Sequence, residues 1–145
     1  MIGRTIVITG GGRGLGRLMC QEAARRDALV VVAARDRCRS AQAAGVLATE
    51  ATCPAPEALV VDLASASPIL AAGAESVTRF GRIDALVKNA GQMNYEGRTS
   101  PDGIELSIAT NYLGAVRFTE ALRPAMGRGS RIVNVSSSSA MLAGL

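Results

Sequence analysis

The chain has 145 residues, a length that fits one domain, and 48% of them are hydrophobic while only 3% are aromatic. Its formal net charge is +4, and it contains no histidine, which excludes histidine general bases, Ser–His triads and ordinary His-ligated zinc sites. No apolar run is long enough to cross a bilayer and no signal-peptide pattern begins the chain, so we expect a soluble cytoplasmic protein with no membrane partner. Cys20, Cys38 and Cys53 form no CxxC pair or metal cluster, so we expect reduced structural thiols and no metal site.

Apolar runs alternate with helical patterns along the chain. Strands are predicted at residues 5–9, 29–34, 58–61, 83–87 and 131–135. Helices are predicted at residues 15–26, 36–49 and 68–80, and residues 103–126 carry either one long helix or two abutting ones. A polar loop is predicted at 92–102 and a turn at 127–130. In the first helix, Leu15, Leu18, Met19 and Ala23 are predicted to form the apolar face.

Strands that alternate with helices favour a parallel sheet with right-handed crossovers. We therefore expect an α/β protein with a three-layer Rossmann fold. Its parallel sheet should have about five strands with helices on both faces, and residues 1–145 should form one nucleotide-binding domain. Ligand sites of such sheets lie at the carboxyl ends of the strands. Polar side chains follow every predicted strand there, namely Thr9, Arg35, Asp62, Asn89 and Ser136.

A glycine-rich loop connects the first predicted strand to the first predicted helix, with the sequence Thr9-Gly10-Gly11-Gly12-Arg13-Gly14-Leu15-Gly16. A loop in this place can bring backbone N–H groups against a pyrophosphate. Gly10 permits the sharp turn, Gly14 lets the backbone approach the phosphates, and Gly16 allows the helix to pack closely on the sheet. An ordinary turn is the alternative interpretation.

Five ordered motifs resemble those of the short-chain dehydrogenase/reductase family over the whole chain. The glycine loop looks like its TGxxxGxG cofactor motif, and Asp62-Leu63 resembles its adenine-contacting pair. The segment Asn89-Ala90-Gly91 resembles the NNAG motif, with Lys88 in place of the first Asn. Asn111 matches the Asn of the catalytic helix, and residues 131–137 match the strand that carries the catalytic Ser. Residues 34–36, 101–105 and 111–114 look most like the retinol-dehydrogenase and protochlorophyllide-reductase branch.

The resemblance implies a role for individual residues. Ser137 would hydrogen-bond the substrate oxygen, although the neighbouring serines leave Ser138 open as the catalytic serine, and Asn111 would hold a proton-relay water. Asp62 would contact the adenine, or else cap the following helix or turn. The cofactor-binding residues implied by the motifs or argued from charge are Gly10, Gly12, Arg13, Gly14, Leu15, Gly16, Arg35, Asp62, Leu63, Asn89, Ala90 and Gly91.

Charge at the end of the second predicted strand favours NADP over NAD. A site that prefers NAD places an acid there, whereas this chain has Ala34 followed by Arg35. A guanidinium can hold a 2′-phosphate through paired, charge-assisted hydrogen bonds, and Arg13 could reach the same phosphate. Asp36 could partly neutralise Arg35, and two solvated surface arginines are the alternative.

The family's reaction needs a Tyr and a Lys four residues later, and both follow the serine strand. Here Tyr95 and Tyr112 are followed at that spacing by Thr99 and Val116, and Lys88 is the only lysine. We therefore expect a chain that is incomplete at its C-terminus and inactive as written. Its fifth strand should be an exposed apolar edge.

The first hypothesis is thus part of an oxidoreductase that transfers a hydride between NADPH and a carbonyl or alcohol substrate. The alternative is a non-enzymatic NADP-binding domain, either regulatory or the product of a decaying gene. A basic nucleic-acid binder is a third hypothesis, but stacking aromatics are nearly absent and the arginines are dispersed, so we expect no nucleic-acid partner. The resemblance also implies pairing into homo-oligomers.

Overall fold

The structure is a computed structural model that describes residues 1–50 and 54–137. In this part the strands are β1 (Thr5–Thr9), β2 (Leu29–Ala34), β3 (Glu57–Val60), β4 (Ile83–Lys88) and β5 (Met126–Asn134). The α-helices are α1 (Gly14–Arg25), α2 (Arg37–Glu50), α3 (Ala66–Phe80) and α4 (Ala115–Leu122). The strands pair in parallel in the order β3-β2-β1-β4-β5. The predicted fold class is confirmed.

Helices cover both faces of the sheet because successive residues of each strand point to opposite sides. Val7, Val31 and Leu86 belong to one buried cluster, which they share with Ile69 of α3 and Phe118 of α4. The intervening strand residues belong to a second cluster with α1 and α2, which includes Ile6, Ile8, Val30, Val32, Cys20 and Leu47. Strands β1 to β4 therefore contribute apolar residues to both sides of the sheet, as expected for a buried parallel sheet.

The predicted apolar face of α1 is correct for Ala23, which is buried, and for Met19, which packs against the core, but it is wrong for Leu15 and Leu18. Leu15 is 58% exposed and Leu18 is 61% exposed. The helix instead buries small side chains, namely Gly16, Cys20, Ala23 and Ala24. Small residues let α1 lie close to the sheet directly after the glycine loop, so residue size rather than hydrophobicity decides which face is buried.

The segment between β4 and β5 contains one uninterrupted helical stretch that changes type, since Gly114 at the junction has right-handed helical backbone angles. A π-helical segment (Ile108–Gly114) leads into α4, which ends in a 3₁₀ turn (Arg123–Ala125). The predicted start at Gly103 is too early, because this glycine has φ +74° and its N–H donates to Ser100 O in a turn. The predicted loop is present and folds back on itself through a bridge between Thr99 and Glu105.

Strand β5 begins earlier than predicted. Its pairing with β4 is irregular, since Ile83 pairs with Met126 and Ala85 with Arg131, so the predicted turn at 127–130 lies inside the strand. Strand β5 forms one edge of the described sheet and is mostly exposed, as expected, although only part of it is apolar. Ile132 and Val133, which point to opposite faces, are each 46% exposed.

The cysteines have different surroundings. Cys20 is buried, and burial raises the pKa of its thiol to about 12, which agrees with a reduced structural thiol. Cys38 is exposed and forms no disulfide, and Cys53 lies outside the described residues. Residues 1–50 and 54–137 contain no cluster of acidic, His or Cys side chains that could hold a metal ion. Within the same ranges, no helix has the length and apolarity needed to span a membrane.

Candidate functional site

A cleft of about 500 Å³ opens at the carboxyl ends of the strands. It is lined by the glycine loop after β1 and by residues that follow β2, β3 and β4. All the residues that the sequence assigned to cofactor binding line this single cleft, namely Gly10, Gly12, Arg13, Gly14, Leu15, Gly16, Arg35, Asp62, Leu63, Asn89, Ala90 and Gly91. The fold thus brings together segments that are up to 81 positions apart in sequence.

The glycine loop is shaped by two close approaches of the backbone. Gly10 has φ +69°, and a Cβ there would lie 3.0 Å from the Cα of Ala90. A Cβ at Gly16 would lie 2.3 Å from Gly10 O and 2.6 Å from the Nδ2 of Asn89. These distances leave no room for a side chain, so the first turn of α1 contacts the end of β1 directly.

Thr9 connects the glycine loop to the end of β4. Its hydroxyl oxygen accepts hydrogen bonds from the backbone N–H groups of Asn89 and Ala90, both at 3.0 Å. The same hydroxyl donates to Val87 O at 3.3 Å, and the Asn89 amide donates to Thr9 O at 3.0 Å. This arrangement explains why a β-hydroxyl residue ends β1. The sequence motif contained Thr9, but its bonding role could not be inferred without the partner strand.

The end of β2 places arginines at one side of the cleft. Arg13, Arg35 and Arg39 all line it, and Arg39 was missed from the sequence. The signal that could have revealed Arg39 is its position in the first turn of α2, which follows the end of β2 after two residues. Asp36 engages Arg39 rather than Arg35. It accepts the Arg39 backbone N–H at 3.0 Å and lies 3.7 Å from its Nε. No hydrogen bond or ion pair joins Arg13 or Arg35 side chains to another described residue.

Asp62 lies in the cleft and also caps a turn. Its Oδ1 accepts the backbone N–H of Ala64 at 3.0 Å. The N–H of Ser65 approaches Asp62 O at 3.4 Å, which closes the turn before α3. The capping role considered as an alternative for Asp62 is therefore present, and it fixes the carboxylate at the edge of the cleft.

Asn111 does not line the cleft but is joined to a residue that does. Gln92 donates its backbone N–H to the Asn111 Oδ1 at 2.9 Å, and the Asn111 Nδ2 donates to Gln92 O at 2.8 Å. The Gln92 side chain in turn donates to Leu106 O and to the Thr110 hydroxyl, each at 3.0 Å. Gln92 and Thr110 line the cleft and were not predicted. This pairing holds the π-helical segment against the end of β4.

Two carboxylates anchor the loop that precedes this segment. Hydrogen bonds from the Ser107 N–H, the Asn94 amide and the Ile108 N–H lower the pKa of Glu105 to about 2. The pKa of Asp102 is also lowered, chiefly by the N–H of Ala66 at the start of α3. Both groups stay charged at neutral pH and stabilise the N-terminal ends of helices.

Ser137 is described and exposed, three residues after the end of β5. The pairing of β5 with β4 continues one residue past the strand, since Val135 N–H donates to Lys88 O at 3.0 Å. Ser137 and Asn111 are not among the residues that line the cleft. Ser138, the other candidate for the catalytic serine, lies outside the described residues.

Comparison with known proteins identifies the family. The model of the short chain dehydrogenase family matches residues 4–144, and the chain therefore belongs to the short-chain dehydrogenase/reductase family. Within it, the chain belongs to the retinol-dehydrogenase-like branch. It is 34% identical to retinol dehydrogenase 13 of Mus musculus and 37% identical to retinol dehydrogenase 14 of Homo sapiens.

The alignments cover 93% and 94% of this chain but only 41% and 45% of those two relatives. The chain thus spans less than half the length of the curated relatives it matches. Among solved structures, it matches the RhlG/NADP active-site complex of Pseudomonas aeruginosa with a TM-score of 0.81 and 26% identity, over 96% of this chain and 56% of that one. It also matches 3-ketoacyl-(acyl-carrier-protein) reductase of Brucella melitensis, complexed with NADH, with a TM-score of 0.77 and 28% identity. This match covers 96% of this chain and 59% of that one.

Proposed function

We propose that the cleft binds a nicotinamide dinucleotide and prefers NADP to NAD. The observation that carries the proposal is that every residue assigned to the cofactor from sequence lines one cleft at the carboxyl ends of the strands. Its volume of about 500 Å³ lies within the range of cofactor sites, about 300–1,000 Å³. Gly12 and Gly14 line it without side chains, so the loop leaves its backbone open to a phosphate group.

Charge supports NADP as the preferred cofactor. Arg13, Arg35 and Arg39 surround the part of the cleft beyond β2, and Ala34 stands where an acidic residue would favour NAD. The nearby carboxylate of Asp36 is directed to Arg39. Arg13 and Arg35 are therefore left to hold a 2′-phosphate with charge-assisted hydrogen bonds. Of the two solved structures named above, one holds NADP and the other holds NADH. The proposed preference for NADP therefore depends on the arginines.

We propose that the whole protein transfers a hydride between NADPH and a carbonyl or alcohol substrate. The cofactor, when bound, supplies or accepts the hydride at its nicotinamide ring. In this proposal Ser137 donates a hydrogen bond to the substrate oxygen, and Asn111 supports a relay water through its position in the π-helical segment. The family supports this substrate class, as do the names of two relatives, retinol dehydrogenase 13 and polyprenol dehydrogenase.

The 145 residues contain no Tyr-x-x-x-Lys pair, because Thr99 and Val116 stand four places after Tyr95 and Tyr112. An unperturbed Tyr titrates near pH 10 and needs a neighbouring cation to act at neutral pH. We therefore propose that these residues bind the cofactor without turnover. The same observation supports the second candidate, a non-enzymatic NADP-binding domain.

A binding titration and an assay test these proposals together. NADPH and NADH are titrated separately into the chain, and binding is followed by isothermal titration calorimetry. The proposal expects one site that binds NADPH more tightly than NADH. Absence of binding would overturn the cofactor proposal, and reduction of a carbonyl panel by the 145 residues would overturn the proposal of binding without turnover.

A further inference from the structure

A second, smaller groove lies between α1 and α2, next to the nucleotide cleft. Its volume is about 110 Å³. Gly12 and Arg39 line both this groove and the cleft, whereas Arg17, Gln42, Ala43 and Val46 line only the groove. Nothing in the proposed function makes use of these four residues.

The groove carries positive charge without a compensating acid among its lining residues. Arg17 is half-buried, and no hydrogen bond or ion pair joins its guanidinium to another described residue. Arg39 faces Asp36, but the 3.7 Å separation and the exposure of both side chains make this pair weak. Two guanidinium groups that face one polar space repel each other, and an anion between them would relieve that repulsion.

We propose that this groove binds a phosphate dianion. The guanidinium groups of Arg17 and Arg39 supply charge-assisted donors from opposite helices, and the side-chain amide of Gln42 supplies a neutral donor. Ala43 and Val46 are apolar residues of the groove lining. Its volume, about a fifth of the cleft's, has room for an ion of this size but not for a nucleotide.

The shared Arg39 couples the groove to the cleft. A phosphate in the groove adds negative charge beside the part of the cleft where Arg13 and Arg35 would hold the 2′-phosphate, so it should weaken NADP binding and leave NAD binding unchanged. This coupling rests on the proposed function, whereas the phosphate site itself does not. Phosphate binding is therefore measured first, with no nucleotide present.

The test is a titration of the full chain with inorganic phosphate at constant ionic strength, followed by backbone amide NMR, with chloride as the reference anion. The expected result is saturable binding that shifts amides of α1 and α2 near Arg17 and Gln42. Arg17→Gln should weaken phosphate binding by about tenfold or more, with NADPH affinity unchanged. The control Arg98→Gln lies outside both lining sets and should bind phosphate as the unmodified chain does.

Because Gln42 is exposed on α2, Gln42→Glu provides a second variant that keeps the fold and places a repelling carboxylate in the groove. It should also lose phosphate binding. Amide shifts no larger than those with chloride would overturn the inference. Unchanged phosphate binding by Arg17→Gln would also overturn it. Loss of binding in Arg35→Gln alone would overturn it as well, because it would place the ion in the cleft. Failure of NADPH to bind while phosphate binding still requires Arg17 would overturn the proposed function alone.

Discussion

Asn89 is joined to Thr9 by two hydrogen bonds of 3.0 Å, one from its backbone N–H to the Thr9 hydroxyl and one from its side-chain amide to Thr9 O. The first connects the carboxyl end of β4 to the carboxyl end of β1, and the second fixes the Asn89 side chain over the glycine loop. Both residues line the cleft, and Thr9 is only 2% exposed. The floor of the proposed nucleotide site is therefore also a connection within the sheet, so damage to it should affect stability and binding together.

Replacing Thr9→Val keeps the shape of the side chain and removes its oxygen. The N–H groups of Asn89 and Ala90 then lose their acceptor, and we expect the free energy of unfolding to fall by about 1–3 kcal/mol. NADPH affinity should fall as well. Urea denaturation measures the first effect. The control Thr78→Val removes an exposed hydroxyl bonded within α3 and should change stability by less than about 0.5 kcal/mol. Equal losses in the two variants would contradict the role assigned to Thr9.

The two helical glycines Gly16 and Gly45 should respond in opposite ways to alanine. A Cβ at Gly16 would lie 2.3 Å from Gly10 O, so Gly16→Ala should destabilise the fold by about 1–3 kcal/mol and disrupt nucleotide binding. Gly45 in α2 is exposed, and a Cβ there would meet nothing within 4 Å. Gly45→Ala should therefore stabilise the chain by about 0.5–1 kcal/mol. Thermal denaturation of both variants measures the difference, and a stabilising Gly16→Ala would show that the loop lies farther from α1.

Much of the fold follows from the sequence because β1 to β4 are apolar on both sides and the glycine loop marks the first strand–helix junction. Size, however, decides the packing of α1. Leu15 and Leu18 are exposed, whereas Gly16 and Cys20 are buried, and hydrophobicity predicts the opposite. The early start of β5 could not be predicted either, because the irregular pairing opposite Ile83 depends on a partner strand distant in sequence.

Sequence motifs predicted those residues of the candidate site that belong to the motifs. Residues that enter the site only through tertiary contacts could not be predicted. The glycine loop and Asp62-Leu63, which the motifs indicated, both line the cleft. Gln92, Thr110 and Arg39 were missed, because a polar loop or helix sequence does not reveal which side chains the fold turns towards the site. The direction of Asp36 towards Arg39 likewise depends on the capping geometry of α2, which is a structural finding.

Asp84 should make the stability depend on pH in the acid range. Burial opposes its ionisation, but hydrogen bonds from the Thr5 N–H and from the Arg4 and Arg82 side chains outweigh it and hold the pKa of Asp84 below its usual value. A carboxylate with a depressed folded-state pKa stabilises the fold above its unfolded pKa of about 3.9, and this contribution is lost as the pH falls through the folded value.

We therefore expect Asp84→Asn to be less stable than the unmodified chain at pH 7, with the difference shrinking towards pH 3. Urea denaturation across this range measures it. Glu96→Gln is the control, because Glu96 forms an exposed pair with Arg98 and should leave the pH profile unchanged. A difference that stays constant from pH 7 to pH 3 would contradict the charge-based account of Asp84.

The most direct test of the central proposal is the ratio of NADPH to NADH dissociation constants in the Arg35→Asp variant. Arg35 lines the cleft, and replacing its guanidinium with a carboxylate should weaken NADPH binding by about ten- to a hundredfold while NADH binding changes little. Arg37→Asp makes the same change of charge two residues away, outside the cleft lining, and should preserve the ratio. Titration calorimetry with both nucleotides measures it. A selective loss of NADPH affinity in Arg35→Asp alone is the result we predict, and equal loss of both cofactors, or the same shift in Arg37→Asp, would contradict the assignment of the 2′-phosphate to Arg35.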